Sequence, residues 1–249
     1  MPPVIVIPCY NEARRLDAAE LARLVADGRV EVIAVDDGSS DGTGVLLAAI
    51  ARDLDGRMQV LTLPRNQGKA EAVRAGLRLA IARGADIVGF ADADFATPPG
   101  EILRLVDVLA SGDAEIVLGS RVRRLGADID RSALRHVVGR VFATAARMAV
   151  GTPVYDTQCG AKVFRVTPAL EAALAEPFSS RWSFDVELLA RLFGRLPSAV
   201  ATHPSRAVEV PLEVWHDAGG SKLGVVGMAR SFAELIAIWA RAERHTRRS

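Results

Sequence analysis

Over its first 120 residues the chain alternates short Val- and Ile-rich runs with single helical patterns, and that alternation leaves few ways to fold. Val4–Pro8, Val30–Asp36, Met58–Leu63, Asp86–Ala91 and Glu115–Leu118 read as buried strands. Between them, one helix is expected from an N-cap at Asp17 to a stop at Gly28, a second from near Asp41 to Gly56, and a third from Gly68 to Gly84. Single helices between strands imply right-handed βαβ crossovers and a parallel sheet. Ligands of such sheets bind beyond the carboxyl ends of the strands, which is where the polar clusters of this sequence fall.

After residue 120 the pattern changes. An arginine-bearing polar loop leads into a long amphipathic helix over roughly 132–150, a strand near Gly160–Phe164 and a helix around Phe184–Phe193. An alternating strand over 206–215 and a final helix over roughly 223–244 complete the pattern. No Pro/Ser-rich linker separates the halves, so one continuous domain over 1–249 is expected. Its parts are a 1–120 half, a 121–222 half and a 223–249 amphipathic helix with a basic tail.

Charge bounds the partners. The formal net charge is only +1, which argues against nucleic acid. It hides a local excess: Arg121, Arg123, Arg124, Arg131, Arg135, Arg140 and Arg147 are opposed only by Asp128 and Asp130. Such a segment suits an anionic ligand or surface, or a solvated helix face. The two cysteines, Cys9 and Cys159, form no disulfide framework, as expected in a reducing cytoplasm. Neither a signal-peptide pattern nor a run of about 18 apolar residues is present, so the expected location is cytoplasmic, with the cytoplasmic face of a membrane as a peripheral alternative.

Four clusters carry the chemistry. Pro8-Cys9-Tyr10-Asn11-Glu12 follows the first strand, and Asp36-Asp37-Gly38-Ser39-Ser40-Asp41 follows the second. A strand-end carboxylate can accept hydrogen bonds from a base or ribose, while Ser40 or Asp41 can equally cap the next helix. Asn66-Gln67-Gly68-Lys69 opens the third helix and offers N–H groups and a cation to phosphate, without the spacing of a P-loop. Asp92 and Asp94 project to one side of an extended segment, and hard oxygens at that spacing suit Mg2+ or Mn2+ shared with substrate phosphates. The competing reading leaves both aspartates solvated and lets Thr97 cap a helix begun by Pro98-Pro99.

Together these strings resemble family 2 glycosyltransferases of GT-A fold, in the subgroup of polyisoprenyl-phosphate (dolichyl-phosphate type) glucosyl- and mannosyltransferases. The resemblance rests on PCYNE, VDDGSSDGT, NQGKAEAVRAG, DADFATPP, GSR, RSALR, DTQCGAKVF, FDVELL and GSKL, in the family's order from residue 4 to about 223. It implies a Rossmann-like three-layer α/β/α fold with a mostly parallel central sheet. Pro8, Tyr10, Glu12, Asp37, Lys69 and Asp92 are then implied to bind the nucleotide sugar, and Asp92 and Asp94 to hold Mg2+ or Mn2+. Arg121, Arg131 and Arg135 are implied to grip the acceptor phosphate, and Asp94, Arg121 and Asp185 to be the catalytic residues.

The implied reaction moves a hexose to a polyisoprenyl phosphate with inversion. Such an acceptor is anionic at neutral pH and needs no base. A hydroxyl acceptor would need one, with Asp185 first and Asp156 second. Asp185 and Glu187 have a plainer alternative, the orientation of a loop or of the arginines. Ala96 and CGAKVF resemble the glucosyl branch, hence UDP-glucose, where the mannosyl branch on GDP-mannose carries a Gln-type residue and an SGF string. A nucleotide-sugar-binding protein without turnover is a further alternative. The final helix carries an apolar stripe, Val225, Met228, Phe232, Leu235, Ile236 and Trp239, for core, homodimer or membrane contact.

Overall fold

The computed structural model describes residues 1–122, 128–129, 133–216 and 225–247, with side chains over 1–122, 142–216 and 230–247. Its first half follows the expected alternation closely: β1 (Val4–Cys9), α1 (Ala18–Val25), β2 (Glu31–Asp36), α2 (Thr43–Asp53), β3 (Met58–Thr62), α3 (Lys69–Ala82), β4 (Ile87–Phe90), α4 (Pro99–Ser111) and β5 (Ile116–Ser120). The second half adds β6 (Asp128–Ile129), α5 (Ala133–Val150), β7 (Lys162–Arg165), α6 (Pro168–Ala175), α7 (Phe184–Leu192), β8 (Ala207–Pro211), β9 (Val214–Trp215) and α8 (Val225–Thr246).

Seven strands form one sheet in the order β3-β2-β1-β4-β7-β5-β8, and only β7 runs antiparallel to its neighbours. The sheet therefore takes strands from both halves of the chain. Side-chain alternation along β1 divides the core in two. Val4 and Val6 pack with α3, α5, α6, α7 and α8 on one face, and Ile5 and Ile7 with α1, α2 and α4 on the other. The result is the expected three-layer sandwich.

Because β7 is reversed, its first residue lies at the carboxyl edge of its neighbours: Lys162 pairs with Phe90 at the end of β4 and with Leu118 in β5. The second half thereby delivers a residue to the edge where the clusters of the first half converge.

Local chemistry corrects several expectations. Asp17 caps α1, accepting from the N–H groups of Ala19 and Glu20. The cap of α2 is instead Gly42, in the left-handed region, with no side-chain bond. Asp41 accepts from the Thr43 N–H and hydroxyl and, across the loop, from the Ala13 N–H. Thr97 caps nothing: α4 starts at Pro99 with Pro98 as its cap, since proline presets the first-turn φ without needing a capping side chain. The strand expected over 206–215 breaks at Leu212-Glu213, and β9 leaves the main sheet to pair with β6. Helix α6 was not expected from the sequence pattern.

Along the final helix the apolar stripe divides. Leu235 is buried, as are Ile238 and Ala242, and Phe232 stands edge-on to Phe142 of α5 at 5.3 Å. Ile236 and Trp239 remain exposed beside Met148 of α5, lining a shallow apolar groove. Val225 and Met228 lie outside the described side chains. Among the described residues, no helix is long and apolar enough to cross a membrane.

Candidate active site

The loops after β1, β2 and β3 are stitched to one another. The Asn11 N–H donates to Ser39 Oγ (3.0 Å), Ser40 N–H to Asn11 Oδ1 (2.9 Å) and Glu12 N–H to Thr43 Oγ1 (2.8 Å). Asp37 closes the third link. Its carboxylate accepts from the N–H groups of Gln67 (2.7 Å) and Gly68 (2.8 Å) and from Asn66 Nδ2 (3.0 Å). Burial pushes its pKa above the ordinary carboxylate value, against the pull of those N–H groups and of Arg181. Gly38 is needed for this approach: its φ is +65°, and a Cβ there would stand 2.5 Å from the Arg65 carbonyl carbon. Pro8 is the next-to-last residue of β1, beside these loops, Tyr10 is exposed and Glu12 lies 3.6 Å from Arg15.

Asp92 and Asp94 follow β4 at the same edge. Lys69, the first residue of α3, brings Nζ to 2.5 Å from Asp92 Oδ1. Asp94 Oδ1 accepts from the Ala96 N–H at 3.1 Å, and its other oxygen lies 3.9 Å from Arg15. Burial and then the neighbouring Asp92 charge raise the Asp94 pKa. A wall from the second half completes this corner. A Cβ on Gly160 would fall 2.2 Å from Asp92 Oδ2, so any larger residue there would displace the Asp92 side chain. Ala96 carries its own link to the second half, accepting at its carbonyl from the His216 N–H (3.0 Å).

Deeper in lies a second layer of charge. Lys162 is fully buried; its Nζ donates to the Cys159 carbonyl (2.6 Å), lies 3.3 Å from Asp185 Oδ1 and stands 5.2 Å from the Phe90 ring centre. Asp185, 5% exposed at the start of α7, has its pKa raised by burial against the opposing pull of Lys162 and Lys69. Burial also pushes the Cys159 thiol up to about 11, so it stays protonated.

Arg121, just past β5, is committed to Asp156. Its Nε and Nη2 donate to the two carboxylate oxygens at 2.7 and 2.8 Å, its own N–H adds a third bond at 3.1 Å, and Trp215 covers the guanidinium at 5.3 Å. Burial works against both charges, but the pair outweighs it, holding Asp156 far below and Arg121 above their ordinary values. Arg131 and Arg135 lie outside the described side chains. Glu187 serves a loop: it accepts from the Ser179 and Ser180 N–H groups and from Arg191, while Glu234 of α8 accepts from the N–H groups of Arg181, Trp182 and Ser183.

The structure thus brings Pro8, Tyr10, Glu12, Asp37, Lys69, Asp92, Asp94, Arg121 and Asp185 to one edge of the sheet. Gly160, Lys162 and Arg181 were missed. Arg181 Nη2 donates to Asn66 Oδ1 at 2.9 Å, tying the loop before α7 to the loop that Asp37 holds. Among the described residues no group of three or more His, Cys, Asp or Glu could hold a metal ion, so the Asp92–Asp94 pair fits a hard divalent cation that takes its remaining ligands from a diphosphate.

A mostly parallel sheet that gathers a carboxylate pair, a helix-opening lysine and stitched loops at the carboxyl ends of its strands has the layout of a ligand-binding α/β protein. The sequence model of glycosyl transferase family 2 matches residues 4–171. The dolichyl-phosphate beta-glucosyltransferase ALG5C of Trichomonas vaginalis is 32% identical over 95% of this chain and 71% of that protein. The polyprenol monophosphomannose synthase of Mycolicibacterium smegmatis is 29% identical over 76% of this chain and 71% of its own length. Glucosyl-3-phosphoglycerate synthase from Mycobacterium tuberculosis, solved with Mn2+, UDP-glucose and phosphoglyceric acid, superposes with a TM-score of 0.69 at 22% identity, over 97% of this chain and 80% of that one. The chain belongs to glycosyl transferase family 2, and its fold is the GT-A fold expected from the sequence.

Proposed function

We propose that this chain is an inverting, metal-dependent hexosyltransferase that moves glucose from UDP-glucose to a polyisoprenyl phosphate. The relatives named for transfer to dolichyl or polyprenol phosphate support the acceptor class, and the beta-glucosyltransferase supports the sugar. The observation that carries the reading is the state of the two carboxylates that could activate a hydroxyl. Asp156 is locked to Arg121 and held strongly acidic, and Asp185 is buried behind Lys162. An acceptor that arrives as a phosphate anion needs neither.

In this reading the Asp37-held loop and Tyr10 receive the nucleoside, and Lys69 faces the diphosphate. A divalent cation held by Asp92 and Asp94 would neutralise charge on the departing nucleoside diphosphate. Arg131 and Arg135 grip the acceptor phosphate, and Arg121 joins them through Nη1, the nitrogen outside its pair with Asp156. Asp185 orients Lys162 and the floor of the site. The edge formed by Met148, Ile236 and Trp239 is assigned a peripheral membrane contact, which a lipid acceptor requires.

Thermal stabilisation by UDP, GDP and their sugars, each with and without Mn2+, tests the donor. Stabilisation by UDP-glucose that grows with Mn2+ is expected. Stabilisation by GDP-mannose alone would replace glucose with mannose.

A further inference from the structure

Every carboxylate around the expected cation position already has a protein cation within 4 Å. Lys69 Nζ is 2.5 Å from Asp92 Oδ1, Arg15 is 3.9 Å from Asp94 Oδ2, and Lys162 Nζ is 3.3 Å from Asp185 Oδ1. The Asp92 contact is the tightest and the most confined. Lys69 holds Asp92 Oδ1, and Oδ2 lies against Gly160, 2.2 Å from where a Cβ there would stand. A divalent ion arriving alone would meet an ammonium group already on the Asp92 carboxylate, and like charges that close repel. A diphosphate arriving with the ion removes the conflict, because it offers the ammonium new oxygens.

We propose that Lys69 is the resident counter-cation of the Asp92–Asp94 pair, and that it makes cation binding conditional on the donor diphosphate. Its position suits an exchange. Lys69 is the first residue of α3, directly after Gly68, whose N–H is fixed by Asp37. The backbone is therefore anchored while the flexible four-carbon side chain can swing from Asp92 to a phosphate. The consequence is a reciprocal coupling: the diphosphate raises cation affinity, and the cation raises diphosphate affinity by the same factor. The inference rests on the metal-dependent reading above and extends it to the order in which the ligands settle.

The test is Mn2+ binding, followed by the electron paramagnetic resonance signal of the free ion, for the full chain and its Lys69→Met and Lys69→Arg variants, with and without UDP. For the wild type, UDP is expected to tighten Mn2+ binding about tenfold. Lys69→Met should bind Mn2+ alone several-fold tighter than the wild type, with the UDP effect reduced to about threefold or less, and Lys69→Arg should keep the coupling. A Lys69→Met protein that binds Mn2+ alone no tighter than the wild type, or keeps the full UDP effect, overturns the proposal while leaving the metal-dependent reading in place. A wild type that binds no Mn2+ even with UDP overturns both.

Discussion

The two halves of the site are held by different physics. On the donor side, loops after β1, β2 and β3 are joined by many short, mostly backbone-to-side-chain hydrogen bonds: Asn11 to Ser39, Ser40 to Asn11, Glu12 to Thr43, and Gln67 and Gly68 to Asp37. On the acceptor side, a few buried ion pairs carry the load, Arg121 with Asp156 and Lys162 with Asp185. Many modest bonds tolerate the loss of one. A buried pair does not, because the surviving charge is left without compensation. The donor side is thus a redundant mesh, and the acceptor side a frame with single points of failure.

The sharpest break is Asp156→Asn. It strands Arg121 beside Trp215 and should destabilise the fold by about 3–5 kcal/mol, read from denaturant midpoints. The pH dependence has a definite sign. The folded Asp156 pKa is depressed, so its contribution is present above the unfolded value of about 3.9 and is lost as pH falls through the lower folded value. The stability gap between wild type and Asp156→Asn should therefore narrow on acidification below about pH 4.

Next comes chemistry rather than folding. Asp92→Asn should lower turnover by roughly 10²–10³-fold while shifting the melting temperature little, since Asp92 is half-exposed. Gly160→Ala, on the opposite wall, should push Asp92 from its position and cost roughly 10–100-fold in activity or cation affinity. If Gly160→Ala were neutral, the acceptor half would not be shaping the cation corner. A single cut in the donor mesh is the mildest to the fold: Ser39→Ala should cost about 1 kcal/mol. Ile236→Ser, at the more exposed position of the apolar edge, should leave stability within about 0.5 kcal/mol yet reduce co-sedimentation with anionic vesicles.

The same contrast explains what could be read from the sequence. Periodicity and strand-end clustering located all five strands of the first half and placed Asp37, Lys69, Asp92 and Asp94 at one edge, because βαβ units are local and their loops open toward one side. The acceptor side depends on contacts distant in sequence. Nothing local announces that β7 runs backwards between β4 and β5, so Lys162 and Gly160 were invisible as neighbours of Asp185 and Asp92. The resemblance implies that Arg121 grips the acceptor phosphate, but no local pattern shows that its Nε and Nη2 are bound to a carboxylate 35 residues away. Thr97 misled for a simpler reason: proline can open a helix without a capping side chain.

Under the proposed function the site passes glucose to a phosphate that needs no base. The direct measurement is transfer of radiolabelled glucose from UDP-glucose, with Mn2+, to polyprenyl phosphate and to the matching polyprenol in parallel. Label should enter the organic phase only with polyprenyl phosphate. Label passing to the polyprenol or another alcohol, with none on the phosphate, would contradict it.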